Sequence, residues 1–354
     1  MPQFKVCKSV NGCWDLVEHY LTPIRHLFDL PGVTEVEVNR FDQIFIEQNG
    51  QTKAIEDARF ADEDQVAVLI HQIGNALGQA VDKDSHPILD ARLLDGTRVC
   101  GTLYPISTHG SSISFRTFPK ERMTPGELVK RGSLTGDMLD FLKLATICRA
   151  NTLVSGGTGS GKTTLLNALS QFIPQDDRVL TVEDTRELQI GCGNHVSLEA
   201  PVRRKIEDAQ TVDLAFLIKT TLRMNPTRII VGEIRDGYAA TAFLHAVNTG
   251  HNACSTIHAN GPEDALTRIQ TLVAGHGNLP FDAVKAQVRS NLNLLIHAEK
   301  TPNHGRRIVS ITEIQEGRCV QLWRWSYRQG QHIREPATSM LYGRLEKYGL
   351  EIPN

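Results

Sequence analysis

The chain has 354 residues, of which 40% are hydrophobic and 22% are charged, and its formal net charge at pH 7 is −2. This composition is typical of a soluble globular protein with room for two domains, and it excludes a general electrostatic attraction to nucleic acid or anionic lipid. No apolar stretch approaches the ~20 residues that cross a bilayer, and the N-terminus does not resemble a signal peptide. We therefore expect a cytoplasmic protein, or one that sits on a membrane by docking to something else.

The pattern over residues 1–118 predicts a small N-terminal α/β domain. Apolar and polar residues alternate over 33–38, 43–47 and 112–116, which indicates strands, and a fourth strand over 97–103 follows an Asp-Gly turn. A helix is expected over 62–81, because its apolar residues fall on one stripe at helical spacing.

The composition becomes rich in proline, glycine and charge after Phe118, and we interpret 119–135 as a linker. Over 136–320 strands and helices alternate, which is typical of a largely parallel sheet covered by helices. The expected elements are strands at 151–154, 178–183, 228–232 and 253–257, helices at 208–224, 239–248 and 262–274, and a closing hairpin of 294–299 with 306–314. Residues 321–354 form a separate C-terminal tail in this division.

Residues 156–163 match the phosphate-binding pattern G-x-x-x-x-G-K-[ST] at every defined position. In such a loop glycines allow backbone N–H groups to face phosphate oxygens, a lysine reaches the terminal phosphates, and a hydroxyl binds Mg²⁺. A chance glycine-rich turn is the alternative, but an apolar strand precedes the loop and a helical pattern follows it. We expect ATP or GTP to bind here. The predicted binding residues are Gly156, Gly157, Thr158, Gly159, Ser160, Gly161, Lys162, Thr163 and Thr164.

Hydrolysis requires groups that stabilise developing negative charge and align a water with the γ-phosphate. The natural place to look for them is the carboxyl ends of the parallel strands, where ligands of such sheets bind. Glu233 ends one apolar strand and is the candidate for water activation; Glu183 ends another and is a candidate for Mg²⁺ binding or water polarisation. His258 follows a third strand and lies at the same edge of the sheet, where it is a candidate to sense the γ-phosphate or to order a glutamate by a hydrogen bond. The alternatives are solvated strand-end carboxylates and a structural histidine.

Four segments in order carry a family resemblance. They are the loop just described, Val-Glu-Asp-Thr-Arg-Glu-Leu at 182–188, Leu-Arg-Met-Asn-Pro-Thr-Arg-Ile-Ile-Val-Gly-Glu-Ile-Arg at 222–235, and Ser-Thr-Ile-His-Ala-Asn at 255–260. Over roughly residues 20 to 315 the chain resembles the secretion and traffic ATPases of type II and type IV secretion, conjugation and type IV pili. Their signatures are the Walker A loop, the Asp box, a Walker B strand ending in Gly-Glu, and the His box.

The resemblance implies a RecA-like P-loop ATPase domain behind the smaller domain, with ATP and Mg²⁺ as ligands and a cytoplasmic hexamer as the assembly. It makes Glu183 the Asp-box glutamate, with Thr163 a ligand of Mg²⁺, and makes Glu233 the catalytic glutamate and His258 the His-box residue.

The resemblance also gives roles to arginines. Arg98 and Arg116 match positions where the family's N-terminal domain reaches the nucleotide, and a guanidinium suits a phosphate there. The alternative for each is a surface ion pair. Arg235 follows the Walker B strand and either contributes to the site or braces the sheet.

The chain lacks the cysteine pairs of the zinc module that many type II secretion and pilus-extension members carry, because its seven cysteines include no C-x-x-C. It also lacks the C-terminal motif of pilus-retraction members. It is most similar to the type IV secretion and conjugal transfer branch, with tight-adherence pilus ATPases close behind. The expected partners are further copies of the chain and inner-membrane secretion, conjugation or pilus components, with peripheral membrane association.

The competing hypothesis is a RecA-like nucleic-acid motor of the helicase or packaging type. We expect no direct contact with nucleic acid, because the charge is near neutral and no basic channel is evident. A nucleotide-gated scaffold without turnover is a third possibility. Arg203, Arg204 and Lys205 suit either an acidic partner or a solvated loop. Aromatic and basic residues alternate over 322–328, which suits an amphipathic strand, single-stranded nucleic acid or a docking surface.

Overall fold

The computed structural model describes residues 11–93, 95–117, 122–200, 212–277 and 279–349. The chain divides into two units, Met1–Glu121 and Arg122–Asn354. None of the helices in the described ranges is both long enough and apolar enough to cross a bilayer.

The first unit is an antiparallel sheet with helices. Its elements are α1 (Asn11–Leu21), β1 (Val33–Arg40), β2 (Gln43–Gln48), β3 (Gln51–Ile55), α2 (Glu63–Ala76), β4 (Ile88–Arg92), β5 (Arg98–Thr102) and β6 (Ser112–Arg116). The strand order is β3-β2-β1-β6-β5-β4, with every neighbouring pair antiparallel. Asp62 caps α2 by accepting from the Gln65 N–H. The apolar stripe of α2 packs into a buried core with the inner faces of the strands.

The second unit holds the phosphate loop and alternates strands with helices. Its helices are α3 (Pro125–Lys130), α4 (Gly136–Ile147), α5 (Lys162–Leu169), α6 (Leu214–Thr221), α7 (Gly237–Asn248), α8 (Pro262–His276) and α9 (Phe281–Asn291). Its strands are β7 (Thr152–Gly156), β8 (Val179–Glu183), β9 (His195–Glu199), β10 (Arg228–Ile234), β11 (Asn252–Ile257), β12 (Leu294–Thr301), β13 (Gly305–Gln315), β14 (Arg318–Ser326) and β15 (Gln331–Arg334).

The strands of this unit form one nine-stranded sheet in the order β15-β14-β13-β12-β7-β11-β10-β8-β9. Strands β12, β7, β11, β10, β8 and β9 are parallel neighbours, and β12 to β15 are antiparallel. Strands β7 and β8 are buried at every residue, as parallel strands covered on both faces require. The carboxyl ends of β7, β8, β10 and β11 therefore lie along one edge of the sheet.

The predicted α/β class is confirmed, and the predicted helices and strands recur with shifted ends. Of the predicted helix 208–224, residues 208–211 lie outside the described residues, and the helix spans Leu214–Thr221. Sequence reasoning missed the strands β3, β4 and β9. The residues of β9 are mostly half-buried.

Two segments have more regular structure than their composition suggests. Helix α3 lies within 119–135, where Thr124 and Glu127 form a reciprocal capping box. Strands β14 and β15 extend the sheet into 321–354. The predicted amphipathic strand at 322–328 is confirmed in β14, where Trp323 is buried and its indole N–H donates to Asp137 at 2.9 Å.

A buried ionic cluster fixes the opposite edge of the sheet, where the parallel strands begin. The Asp177 carboxylate accepts from Arg228 Nε at 2.6 Å and from Arg149 Nη2 at 2.7 Å, and the side chains of Asp177 and Arg228 are each only 4% exposed. Arg228 also donates to the Thr146 carbonyl at 2.6 Å, which joins the start of β10 to the end of α4. Removing one partner of such a pair leaves a buried charge uncompensated.

We predict that Asp177→Ala lowers the free energy of unfolding of the second unit by about 3–5 kcal/mol, because Arg228 then remains buried without its counterion. Urea unfolding measures the loss. Asp176→Ala is the matched control, because Asp176 is the adjacent and exposed carboxylate. Equal unfolding midpoints for the two variants would contradict this account of the cluster.

Candidate nucleotide-binding and hydrolytic site

The phosphate loop joins β7 to α5 and has a backbone that glycine alone accommodates at its first position. Gly156 has φ of +153°, and a β carbon there would lie 2.2 Å from the Ala298 carbonyl oxygen and 2.5 Å from Ser160 Oγ. Gly161, with φ of +98°, precedes α5 and adds no side-chain cap. The N-terminal N–H groups of α5 are thus left for an anion, which the helix dipole also favours.

Lys162 lies folded against the loop, where its side chain is nearly buried. Its ammonium donates to the Gly156 carbonyl at 2.9 Å and to the Gly157 carbonyl at 2.8 Å, and the residue is 8% exposed. Burial lowers the pKa of Lys162 from its usual value, since a buried cation loses hydration. The Ser160 hydroxyl is also buried, with no hydrogen-bond partner among the described residues. A buried cation and an unsatisfied hydroxyl beside the N-terminus of a helix fit a polyphosphate.

Glu233 on β10 is held by two nitrogen-bearing side chains. Arg235 approaches Oε2 with Nε and Nη2, both at 2.6 Å, and His258 Nε2 lies 2.9 Å from Oε1. β10 and β11 are parallel neighbours, so their ends bring Glu233 and His258 together as predicted. Burial, and then the charge of Lys162, lower the pKa of His258 from its usual value. A proton on Nε2 places the ring as a hydrogen-bond donor to the Glu233 carboxylate. Both oxygens of Glu233 are occupied in this arrangement.

Glu183 at the end of β8 is in a different environment. It is 2% exposed, and its Oε1 accepts from the N–H groups of Glu187 at 2.8 Å and Leu188 at 2.9 Å. Its Oε2 is buried and has no hydrogen-bond partner in the part of the chain that the structure describes. Burial raises the pKa of Glu183 to about 7, against the two N–H bonds, which lower it. A half-satisfied carboxylate at the site fits a ligand that is absent from the protein alone, such as Mg²⁺, which prefers oxygen ligands.

The Walker B strand ends in Gly-Glu because Glu183 occupies the neighbouring space. A β carbon at Gly232 would lie 2.9 Å from Glu183 Cγ. Glycine at position 232 therefore lets the Glu183 side chain lie against the backbone of β10. The carboxylate of β10 belongs to the next residue, Glu233. Arg235 binds Glu233, and its Nη1 lies 3.7 Å from Asp184 Oδ2. Of the two roles considered for Arg235, these contacts favour one in the site.

Sequence reasoning missed Asn167, which fixes the loop after β8. Its side-chain amide donates to the Glu187 carbonyl at 3.1 Å and accepts from the Gln189 N–H at 2.8 Å. Asn167 stands four residues after Thr163 on α5, hence on the same helix face. This four-residue spacing from Thr163 is the sequence feature from which a role of Asn167 near the site could have been inferred.

Arg98 and Arg116 belong to the first unit and are directly paired across β5 and β6. Arg92 on β4 is in turn paired with Arg98, so three arginines stand in one row across the sheet. Arg116 also lies 3.6 Å from Glu35, which is the surface ion pair that we considered. Like charges placed directly opposite one another destabilise a sheet. Sequence reasoning missed Arg92, since only the strand register reveals the row.

The remaining basic segments differ in what the structure describes. Arg203, Arg204 and Lys205 lie outside the described residues. In the 322–328 segment Trp323 and Trp325 are buried, at 2% and 7% exposed. Arginine side chains lie over both indole rings, Arg334 at 5.0 Å and Arg307 at 5.5 Å from the ring centres. These rings are therefore not open to stacking with nucleic-acid bases.

The family model described as type II/IV secretion system protein matches residues 18–315. The chain is 34% identical over 292 residues to a probable conjugal transfer protein TrbB of Sinorhizobium fredii, covering 81% of this chain and 85% of that protein. It is 32% identical over 328 residues to the type IV secretion system protein PtlH of Bordetella pertussis, covering 83% and 94%.

Among solved structures, the Legionella pneumophila ATPase DotB aligns with a TM-score of 0.58 at 20% identity, covering 85% of this chain and 81% of that one. This likeness supports the fold, an N-terminal α/β domain followed by a RecA-like domain. The chain belongs to the type II/IV secretion system protein family, as the ordered signatures predicted.

We predict that Glu183→Gln gains stability relative to the wild type as pH rises. The folded-state pKa of about 7 exceeds the ordinary 4.5, so between these values the folded protein holds a proton that the unfolded chain has lost. The wild-type free energy of unfolding then falls by on the order of 2–3 kcal/mol across that window, a loss that glutamine does not incur. Urea unfolding from pH 4.5 to pH 8 measures the difference.

Asp140→Asn provides the control, because Asp140 is an exposed carboxylate on α4 of the same unit. Its stability difference from the wild type should stay constant over the window. If Glu183→Gln also shows a constant difference, Glu183 is not the buried titrating group described here.

Proposed function

We propose that this member of the type II/IV secretion system protein family binds ATP with Mg²⁺ at the phosphate loop and hydrolyses it to ADP and phosphate. The observation that carries the proposal is that a buried phosphate-loop cation, Lys162, lies within electrostatic reach of a strand-end carboxylate, Glu233, which two neighbouring side chains orient. A binding loop alone needs no such carboxylate.

In this mechanism the chain's residues divide the work between binding and proton transfer. Lys162 turns from the Gly156 and Gly157 carbonyls to the terminal phosphates, and the loop N–H groups bind phosphate oxygens. The Thr163 hydroxyl and Glu183 Oε2 would hold Mg²⁺, which neutralises charge developing on the phosphates when it is bound. Glu233 accepts the proton of the attacking water after Arg235 releases its Oε2, while His258 keeps the carboxylate oriented.

The arginine row of the first unit supplies the remaining positive charge in this proposal. Arg98 and Arg116 act on the phosphate oxygens, since a planar and permanently charged guanidinium matches their geometry. An arginine that stabilises the transition state of phosphoryl transfer is worth about 10³–10⁵ in turnover.

The names of the relatives support a role in conjugal transfer or type IV secretion. TrbB is described as a probable conjugal transfer protein and PtlH as a type IV secretion system protein. For this chain we propose a hexameric motor on the cytoplasmic side of the inner membrane, attached peripherally through secretion, conjugation or pilus components. ATP hydrolysis would drive movement of the N-terminal domains.

We predict that Glu233→Gln binds nucleotide like the wild type but loses turnover by about 10²–10⁴-fold, because the general base is removed while the phosphate loop is kept. Lys162→Ala instead loses binding, since the cation for the terminal phosphates is gone. Phosphate release with and without Mg²⁺, together with calorimetric titration of ADP, separates the two effects. Arg98→Ala and Arg116→Ala lose turnover in the same assay.

Glu316→Gln and Lys285→Ala are matched controls, since both residues are exposed and neither is placed in the site. Absence of Mg-dependent hydrolysis in the wild type, or full turnover in Glu233→Gln, would contradict the proposal. Adding single- and double-stranded DNA tests the nucleic-acid motor, and strong stimulation of turnover by DNA would favour that alternative.

A further inference from the structure

An arginine outside the four signatures contacts the phosphate loop. Arg306, at the start of β13, donates from Nε to the Gly159 carbonyl at 2.7 Å. Its Cδ lies 3.5 Å from the point that a β carbon at Gly161 would occupy, so the side chain runs along the outside of the loop. Residue 306 is exposed and far from the loop in sequence, 147 residues from Gly159.

The next residue provides an internal comparison, because side chains alternate faces along a strand. Arg307 turns away from the loop, where it donates to the Arg131 carbonyl at 3.2 Å and lies over the Trp325 ring. The two arginines thus share a strand and a charge, but only Arg306 contacts the phosphate loop.

The contact fixes the direction of one peptide group. In a trans peptide the carbonyl of one residue and the N–H of the next point to opposite sides. Holding the Gly159 carbonyl outward therefore holds the Ser160 N–H on the inner side of the loop. There the N–H donates to the Gly157 carbonyl at a long 3.4 Å, a weak bond that a bound anion can replace.

We propose that Arg306 is a positioning residue for nucleotide binding: its Nε–H bond to the Gly159 carbonyl sets the Ser160 N–H toward the bound phosphates. This inference rests on the proposed ATP site and deepens it. Lys162 orders the carbonyls of Gly156 and Gly157 in the protein alone, and Arg306 orders that of Gly159. When Lys162 turns to the phosphates, the Arg306 bond remains.

The donor position allows a specific test. Glutamine carries its side-chain NH₂ at the same distance from the backbone as arginine Nε, so Arg306→Gln keeps a neutral donor for the Gly159 carbonyl. Arg306→Met keeps the length and removes the donor. Calorimetric titration with Mg-ADP should show Kd raised roughly 3- to 10-fold in Arg306→Met, the effect of one hydrogen bond, and within twofold of wild type in Arg306→Gln.

Two further readouts distinguish a positioning role of Arg306 from a merely structural one. Thermal unfolding without nucleotide should be unchanged in both variants, because the side chain is exposed. In the hydrolysis assay Arg306→Met should raise KM for ATP while kcat stays within twofold. Arg307→Met is the matched control and should leave Kd and KM at wild-type values.

Three results would overturn the inference. Wild-type affinity in Arg306→Met would show that the contact does not position the loop. Equal weakening in Arg306→Gln and Arg306→Met would show that the charge acts directly on the phosphates. If the wild type itself binds no Mg-ADP, the proposed function fails and this inference fails with it. If the wild type and Arg307→Met bind Mg-ADP and Arg306→Met binds it equally well, only the inference about Arg306 fails.

Discussion

The burial of the Lys162 ammonium at the carboxyl edge of a parallel sheet constrains everything around it. An ammonium that loses water must gain partners, and in the described structure two loop carbonyls supply them. Those carbonyls bear only partial charge, so a polyphosphate is a better partner. Burial, and then the charge of the same cation, lower the pKa of His258, whose Nε2 lies 2.9 Å from the Glu233 carboxylate.

Two glutamates at this edge are given different properties by their surroundings. Glu233 lies between Arg235 and His258, whereas Glu183 is buried against Gly232 with one oxygen unsatisfied, and burial raises its pKa to about 7. Pairs of carboxyl groups in unlike environments take unlike roles. Burying the Glu183 carboxyl group with one oxygen unsatisfied lowers the stability of the folded protein. Such a cost is typical of residues at functional sites.

The sequence predicted what depends on short-range pattern. The loop at 156–163 and the strand-end residues Glu183, Glu233 and His258 could be placed, because apolar strands followed by polar residues converge at one edge of a parallel sheet. Asn167, Arg306 and Arg92 escaped, since their contacts join segments far apart in the chain or depend on strand register. The reason for glycine at 232 was equally hidden, because it lies in the side chain of another strand.

The central claim is that the buried Lys162 charge is retained for phosphate binding and contributes nothing to folding. Thermal unfolding of Lys162→Met with and without Mg-ADP tests it most directly. Without nucleotide the variant should be at least as stable as the wild type, because methionine fills the space without a desolvated charge. At a nucleotide concentration of 100 times Kd the wild type should gain about 2.7 kcal/mol, and the variant nothing. A strongly destabilised variant, or one that Mg-ADP stabilises as it does the wild type, would contradict the account.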